Sequence, residues 1–321
     1  MLTKLTKTNS GKKLLLVAVL VMSVLVFSSG VSLAREPEVI TDDLDNEVEL
    51  QEAPDRIVSM APSITEMLYA LGLGDRVVGV TSFCDYPPEM LEAVEAGEVD
   101  TTGTIVEPNI EKIVELDPDL VVAANINPIE DVERLQELGL QVAGFAPQNL
   151  ETTFSVMERA GKLTGFQHEA DEVISSMQSR LEQIESLVAE QEEEPAVFYE
   201  IWNDPLQTAG AGTFIDDVIT TAGGKNLGAE AGEGWPQFSL ETLIMENPEV
   251  YISTPHSAEE DVSIESIKER ENFDALTAVQ DDRVHMVDQD KLSRPGPRII
   301  DGLLEITEAL YPQLADELAD I

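Results

Sequence analysis

Four large aromatic residues lie in segments of this sequence that read as loops. Phe83 and Tyr86 stand in the run FCDYPP, and Trp202 and Trp235 follow farther along the chain. Aromatic rings in such positions can stack on a flat or bulky apolar ligand. Packing in a core is the alternative for each of them taken singly. Taken together, the four favour a binding cleft.

Residues suited to catalysis or metal binding are sparse. The histidines His168, His256 and His285 have no helical or hairpin ligand spacing, which weighs against a zinc or manganese site. Cys84 is the only cysteine, so an intrachain disulfide is excluded and thiolate clusters are disfavoured. The run 210–212 (GAG) lacks the further glycine and the lysine of a phosphate loop, and it reads as a tight turn that opens a helix. We predict no enzyme, cofactor or metal.

A repeated pattern indicates the elements that hold the aromatic residues. The runs NIEKIVELDPDLVV (109–122) and SLETLIMENPEVYI (239–252) match without a gap, and Glu111 and Glu241 fall in register. Each copy starts with an N-cap residue, followed by apolar residues at helical spacing. An Asn-Pro or Asp-Pro pair then breaks the helix, and a hydrophobic run rich in β-branched residues follows. Each therefore predicts a helix, a turn and a buried strand. Two similar α/β lobes with a cleft between them follow from this repeat.

Strands alternate with helices in both halves, which predicts two Rossmann-like lobes with parallel sheets. The sequence between them has helical period from about residue 150 to 191, with Gly161 and Gly165 allowing a bend or a short break. We predict one long backbone helix that joins the lobes and permits little lobe motion. The predicted boundaries are an acidic, poorly ordered leader over 35–53, an N-terminal lobe over 54–147, the backbone helix over 148–194 and a C-terminal lobe with a terminal helix over 195–321.

The N-terminus has the three parts of an export signal. Four lysines precede an apolar stretch over 14–27, and small residues end at Ala34. The apolar stretch is short for a membrane span, so we expect a signal peptide over 1–34 that is cleaved after Ala34, with an uncleaved anchor as the alternative. No cysteine stands at the end of the stretch to carry a lipid, which predicts a periplasmic or secreted protein without a lipid anchor.

The chain is strongly acidic, with a formal net charge of -44 at pH 7. Nucleic acid and anionic membrane are poor partners for such a surface. The acidic residues are spread along the chain, which is typical of a solvated surface in high salt and predicts a halophilic source. Alternatively, the acidic surface binds one basic partner. This interpretation is compatible with a halophilic source.

Several longer runs resemble the helical-backbone class of ABC-transporter substrate-binding proteins. The runs are RIVSMAPSITEMLYALGLGDRVVGVT, FCDYPP, NIEKIVELDPDLVV, IWNDPLQTAGAGTFIDDVITTAGGKN, GWPQFS and SRPGPRIIDGL. The resemblance covers about residues 54 to 312. Within the class, DYPP and GWPQFS are most similar to the periplasmic vitamin B12 (cobalamin) binding branch, while the other runs are shared with siderophore and haem binders. The resemblance implies a monomeric receptor that delivers cobalamin or a related corrinoid to a permease.

Individual residues receive roles from this resemblance. Tyr86 and Trp235 match aromatic residues that line the corrin, and Phe83 shares the loop of Tyr86. Asp290, four residues before Arg294, matches an acid that hydrogen-bonds corrin amides, and Arg294 is placed in the same site. These roles are expectations for the structure to test.

Three residues bear on which ligand the resemblance implies. Trp202 lies near another stacking aromatic of the class, and Ile105 stands where some relatives have a tryptophan. An iron–siderophore or haem receptor would use arginines to meet an anionic ligand, and Arg298 is then a candidate beside Arg294. An extracytoplasmic enzyme built on two lobes is the alternative from a different class.

Glu111 and Glu241 match surface acids of the class that dock onto arginines of the membrane permease. Equal charges on two similar lobes suit a permease dimer. Simple solvation is the alternative for either glutamate alone, and their common register is what favours docking.

Overall fold

Two β-sheets organise the computed structural model, which describes residues 38–255 and 262–321. The predicted signal peptide with its cleavage site, the first residues of the leader, and His256 lie outside the described residues. Within the described ranges, no helix has the length and apolar character needed to cross a membrane.

The acidic leader contains a short antiparallel hairpin. Its strands are β1 (Val39–Thr41) and β2 (Glu47–Glu49). Ile40 and Val48 face each other in the hairpin and are buried, and the Asp42 carboxylate accepts a hydrogen bond of 2.9 Å from the Gly144 amide of the first lobe. The prediction of poor order is therefore wrong for this part of 35–53. Each of these three-residue strands buries only its central side chain, which gives too weak a period to be read from sequence.

A five-stranded parallel sheet forms the first lobe, in the order β5-β4-β3-β6-β7. Its strands are β3 (Ile57–Ser59), β4 (Val77–Val80), β5 (Asp100–Thr101), β6 (Leu120–Ala124) and β7 (Val142–Phe145). Its helices are α1 (Pro62–Ala70), α2 (Pro88–Ala96), α3 (Ile110–Glu115) and α4 (Ile129–Glu137). The strand order reverses beside β3, the first strand, so the ends of β3 and β6 form the crevice in which such sheets bind ligands.

The second lobe has a sheet in the order β10-β8-β11-β12 with an additional antiparallel strand, β9, paired to β8. Its strands are β8 (Ala196–Asn203), β9 (Leu206–Thr208), β10 (Lys225–Asn226), β11 (Val250–Ser253) and β12 (Val284–Met286). Its helices are α7 (Phe214–Thr221), α8 (Leu240–Glu246), α9 (Ile264–Lys268), α10 (Thr277–Gln280), α11 (Gln289–Ser293), α12 (Ile299–Leu310) and α13 (Ala315–Leu318). The predicted α/β class with parallel sheets is confirmed, and β9 is the antiparallel exception.

The helical connection between the lobes is interrupted. It consists of α5 (Leu150–Thr164) and α6 (Gln167–Ala189), separated at Gly165, whose φ of +83° ends the first helix. The two helices pack together so closely that a Cβ at Gly161 would lie 2.5 Å from the Cβ of Ala170. The short break that the sequence allows near the start of this connection occurs at Gly165, because Gly165 adopts a left-handed conformation that favours glycine.

Helix α6 runs from one lobe to the other. Phe166, just before its start, lies under the guanidinium of Arg76 in the first lobe at 5.0 Å. Val188, near its end, lies against Gly223 of the second lobe. Its 23 residues span about 34 Å at 1.5 Å per residue, which is enough to connect two domains as a stiff spine.

The repeat seen in the sequence is a repeat in three dimensions. Asn109 and Ser239 each cap their helix by accepting from the amide three residues ahead. Asp117 and Asn247 both take positive φ, at 46° and 48°. Strands β6 and β11 then pair in parallel with β3 and β8, the first strands of their sheets. Each half therefore contains the predicted helix, turn and buried strand.

One core passes through both lobes and the connecting helices. It contains Ile57 of the first sheet, Met177 and Ile184 of α6, Val197 of the second sheet and Ile300 of α12, all buried. Burial of a side chain of this size contributes roughly 1.5–3 kcal/mol. The lobes are consequently parts of one packed structure rather than separate domains on a flexible tether.

Partial burial of His285 on β12 is expected to make folding sensitive to mild acid. Its Nε2 atom is buried and has no hydrogen-bond partner within residues 38–255 and 262–321. Burial, together with the positive charge of Arg283, lowers the pKa of this imidazole below its ordinary value of 6.5. The unfolded chain therefore binds the proton more readily than the folded one, and stability is lost as pH falls below about 6.5.

We expect the free energy of unfolding to decrease between pH 7.5 and about 5 in urea titrations, with a smaller slope in His285→Gln. His168→Gln is the matched control, because the His168 side chain is 80% exposed and should leave the slope unchanged. Identical slopes for wild type and His285→Gln would contradict the conclusion that His285 causes this loss of stability.

Candidate ligand-binding cleft

A cavity of about 740 Å³ lies between the lobes. Its walls come from the carboxyl ends of the strands: Asn125 follows β6, Gln148 follows β7, Tyr199 lies on β8, and Thr254 follows β11. Small-molecule sites are commonly about 300–1,000 Å³, so this cavity is among the larger ones. The position agrees with the predicted cleft.

The described lining of the cavity is uncharged throughout. It consists of Asn125, Ile126, Pro147, Gln148, Tyr199, Ile201, Gln207, Gly212, Thr213, Phe214, Ile215, Gly234, Trp235, Thr254, Gln289, Leu292, Ser293 and Pro295. Burial raises the pKa of Tyr199, so its hydroxyl stays neutral at all ordinary pH values. Because the whole chain carries -44, an uncharged lining is a local exception to its composition. Such a surface suits a neutral ligand with both apolar and amide-like polar groups.

Trp235 is the predicted aromatic that reaches the cavity, and 56% of its surface is exposed. Its loop is held by backbone hydrogen bonds from Gly210 to the Gly234 carbonyl at 2.7 Å and from Ala211 to the Gly232 carbonyl at 2.8 Å. A Cβ at residue 210 would collide with the Gly232 carbonyl oxygen. The glycine at 210 thus permits the close backbone approach that sets Trp235 at the cavity.

The turn over 210–212 opens α7, as predicted. Thr213 caps the helix, and the Gly212 amide donates to the Asp216 carboxylate at 3.0 Å. A carboxylate already occupies the amide that a phosphate oxygen would need. Within the described residues, no group of three or more His, Cys, Asp or Glu side chains is arranged to hold a metal ion.

The other three predicted aromatics lie outside the lining. Phe83 is 54% exposed in the loop after β4. Tyr86 is 39% exposed and lies over the Arg298 guanidinium at 4.1 Å. Trp202 is on β8 itself, where its indole N–H donates to the Asp204 carbonyl at 2.9 Å. The structure therefore does not gather the four rings into one group.

Arg294, expected to bind ligand, lies in an ion-pair network beside the cavity. Its guanidinium contacts Glu66 at 3.0 Å, Asp85 at 2.5 Å and Asp290 at 2.8 Å. Arg298 holds the same Glu66 carboxylate with two hydrogen bonds of 2.8 and 2.6 Å. Asp290 is likewise engaged with Arg294 instead of lining the cavity. Both arginines face protein carboxylates, which leaves them poorly available to an anionic ligand.

Burial and the charge of Arg294 act against each other on the pKa values of Asp85 and Asp290, and the outcome differs between the two. Partial burial alone would raise the pKa of Asp85, but the hydrogen bond and charge of Arg294 outweigh it and leave this pKa lowered. For Asp290, burial prevails over the attraction of Arg294 and raises the pKa. Asp85 is therefore the more firmly ionised of the two at mildly acidic pH.

Glu111 and Glu241 occupy the second helical position of α3 and α8, respectively. Both are exposed, and neither has an ion pair with another described residue. Apolar neighbours are also exposed on these helices, with Val114 at 40% and Met245 at 75%. The two glutamates lie on equivalent helices of the two lobes and are accessible to a partner.

Sequence reasoning missed the polar residues of the site. Gln148, Gln207 and Gln289 line the cavity from three separate elements, and Glu66 joins the arginines. The glutamines carry no motif that would single them out. A signal for Glu66 did exist, since it is the one charged residue in the sequence of α1, PSITEMLYA.

Two α/β lobes around a ligand-sized cavity are the architecture of a solute-binding protein. Residues 57–291 match the family model described as periplasmic binding protein, and the chain belongs to this family. The predicted membership of the ABC-transporter substrate-binding class is confirmed.

Similar proteins differ in the ligand that their names give. The uncharacterized ABC transporter substrate-binding lipoprotein YvrC of Bacillus subtilis (strain 168) is 32% identical over 88% of each chain. The vitamin B12-binding protein of Vibrio cholerae (strain O395) is 28% identical over 78% of this chain and 87% of the relative. The periplasmic heme-binding protein RhuT from Roseiflexus sp. RS-1 superposes with a TM-score of 0.72 at 26% identity, covering 80% of this chain and 98% of that protein. The Bacillus relative is named a lipoprotein, whereas the absence of a lipid anchor here stays a prediction.

Proposed function

We propose that the protein captures cobalamin or a related corrinoid outside the cytoplasm and delivers it to the permease of an ABC importer. The uncharged, amide-rich lining of the cavity carries this proposal. A corrinoid presents a broad apolar macrocycle fringed by neutral carboxamides, which match the Trp235 ring and the glutamine side chains. The protein acts as a binding protein and does not transform its ligand.

A haem or ferric-siderophore receptor of the same fold is the second candidate. The heme-binding name of one structural neighbour favours it. Anionic ligands of this kind require positive charge, and Arg294 and Arg298 are held by Glu66, Asp85 and Asp290. Placing carboxylates in an uncharged cavity of low dielectric is costly without such partners. The corrinoid is therefore the better match.

A titration with cyanocobalamin, cobinamide, haemin and a ferric hydroxamate tests the proposal. We expect one-to-one binding of the corrinoids, with quenching of tryptophan fluorescence because Trp235 faces an absorbing macrocycle. The variants Trp235→Phe and Trp202→Phe each keep one tryptophan. Ligand should quench the remaining fluorescence much less in Trp235→Phe than in Trp202→Phe. Equal or stronger binding of haemin would instead select the second candidate.

Docking to the permease is assigned to Glu111 and Glu241. Their exposure, their lack of ion pairs with described residues and their equivalent positions on α3 and α8 support this role. Two like charges on pseudo-equivalent lobes can meet two arginines of a symmetric dimer. The receptor itself acts as a monomer in this scheme.

A further inference from the structure

The ion-pair network beside the cavity joins the two lobes. Glu66 lies on α1 of the first lobe and Asp85 in the loop after β4, whereas Arg294 and Arg298 belong to the segment between α11 and α12 of the second. The backbone is also close here, since a Cβ at Gly296 would lie 3.5 Å from the Ser63 carbonyl oxygen. Ser293 and Pro295, the residues on either side of Arg294 in the chain, both line the cavity.

Burial makes this contact specific. The Glu66 side chain is 2% exposed, and those of Arg294 and Arg298 are 12% and 15% exposed. Buried ion pairs add little net stability because desolvation offsets the attraction, but removal of one partner leaves an unpaired charge and is costly. The network therefore disfavours any arrangement of the lobes in which Glu66 loses the arginines. The two parallel hydrogen bonds from the Arg298 guanidinium to the Glu66 carboxylate fix the relative orientation of these groups and not only their distance.

We propose that Glu66 is a positioning residue that latches the second lobe onto the first beside the cavity and so fixes the width of the cleft before ligand arrives. Helix α6 and the shared core restrain the lobes elsewhere. The Glu66 latch restrains them where Ser293 and Pro295 enter the cavity wall. This role goes beyond ligand identity and does not depend on the corrinoid assignment.

The test measures the distance between the lobes in ligand-free protein. Spin labels are placed at Glu133→Cys on α4 and Met245→Cys on α8, both exposed, in a Cys84→Ser background that removes the buried thiol. Pulsed electron paramagnetic resonance should give a single narrow distance distribution. Glu66→Gln should broaden it by roughly twofold, because a neutral amide holds two guanidinium groups much less firmly.

Two further variants make the result specific. Asp301→Asn removes a different, more exposed ion pair of α12, in which Asp301 contacts Arg180 of α6 at 2.6 Å, and should keep the distribution narrow. Glu66→Gln combined with Arg298→Gln should broaden it no more than Glu66→Gln alone, because both changes break the same contact. An unchanged distribution in a folded Glu66→Gln protein would overturn the proposal.

Should Glu66→Gln fail to fold, Arg298→Gln alone carries the test, since Glu66 then keeps its contact with Arg294. Because Arg294 still holds Glu66, a smaller broadening than the twofold one is expected, and a distribution identical to that of the protein with Arg298 refutes the latch. No ligand is present in these measurements. Failure of corrinoid binding would therefore leave the result intact, and failure of the latch would leave the corrinoid proposal intact.

Discussion

Replacing Glu111 and Glu241 together by arginine is expected to abolish binding to the permease and uptake of the ligand, while the affinity for the corrinoid stays unchanged. Like charges would then meet at both contacts with the permease arginines. Each single replacement should weaken docking in part, and by a similar amount, because the two glutamates lie on equivalent helices. Binding to the purified permease in nanodiscs, alongside ligand titration of the free receptor, measures both quantities.

A control must separate this effect from the change in net charge. Glu133→Arg with Glu317→Arg makes the same change at two exposed glutamates outside the repeated helices and should dock normally. Normal transport by the Glu111→Arg, Glu241→Arg protein would show that these residues serve only solvation. Loss of ligand affinity in that protein would show instead that they support the fold.

Trp235→Ala is expected to weaken corrinoid binding by roughly 1–3 kcal/mol, the scale of one lost aromatic contact. The dissociation constant should rise by about 5- to 150-fold, measured by isothermal titration calorimetry. The ring is 56% exposed without ligand, so its removal leaves no cavity in the core and should hardly change the melting temperature. This separation of binding from stability distinguishes a binding residue from a packing residue.

Trp202→Ala serves as the comparison, since Trp202 lies on β8 and outside the cavity lining. It should alter stability more than affinity. An unchanged dissociation constant in Trp235→Ala, or a larger affinity loss in Trp202→Ala, would reverse the two roles. Either result would also require another ring to stack on the ligand.

The architecture was largely readable from the sequence because its signals are local. A cap, a helical period, an Asn/Asp-Pro turn and a β-branched strand occur within fourteen residues at 109–122 and again at 239–252. In the structure these two runs form α3 with β6 and α8 with β11. Short elements in which apolar residues recur only weakly, such as β1, β2 and α2, were not predicted. They are ordered by contacts with distant residues, as between Asp42 and Gly144.

Its position in a loop placed Trp235 at the cleft, and the register of the repeat placed Glu111 and Glu241 at equivalent points of the two lobes. What Arg294 and Asp290 do was decided by tertiary structure, because the partner Glu66 is 228 residues from Arg294 in the chain. A charged side chain reads the same in sequence whether it faces a ligand or a protein carboxylate. Only the folded chain, which buries Glu66 against the two arginines, shows that their charge is already neutralised and that the cavity beside them is uncharged.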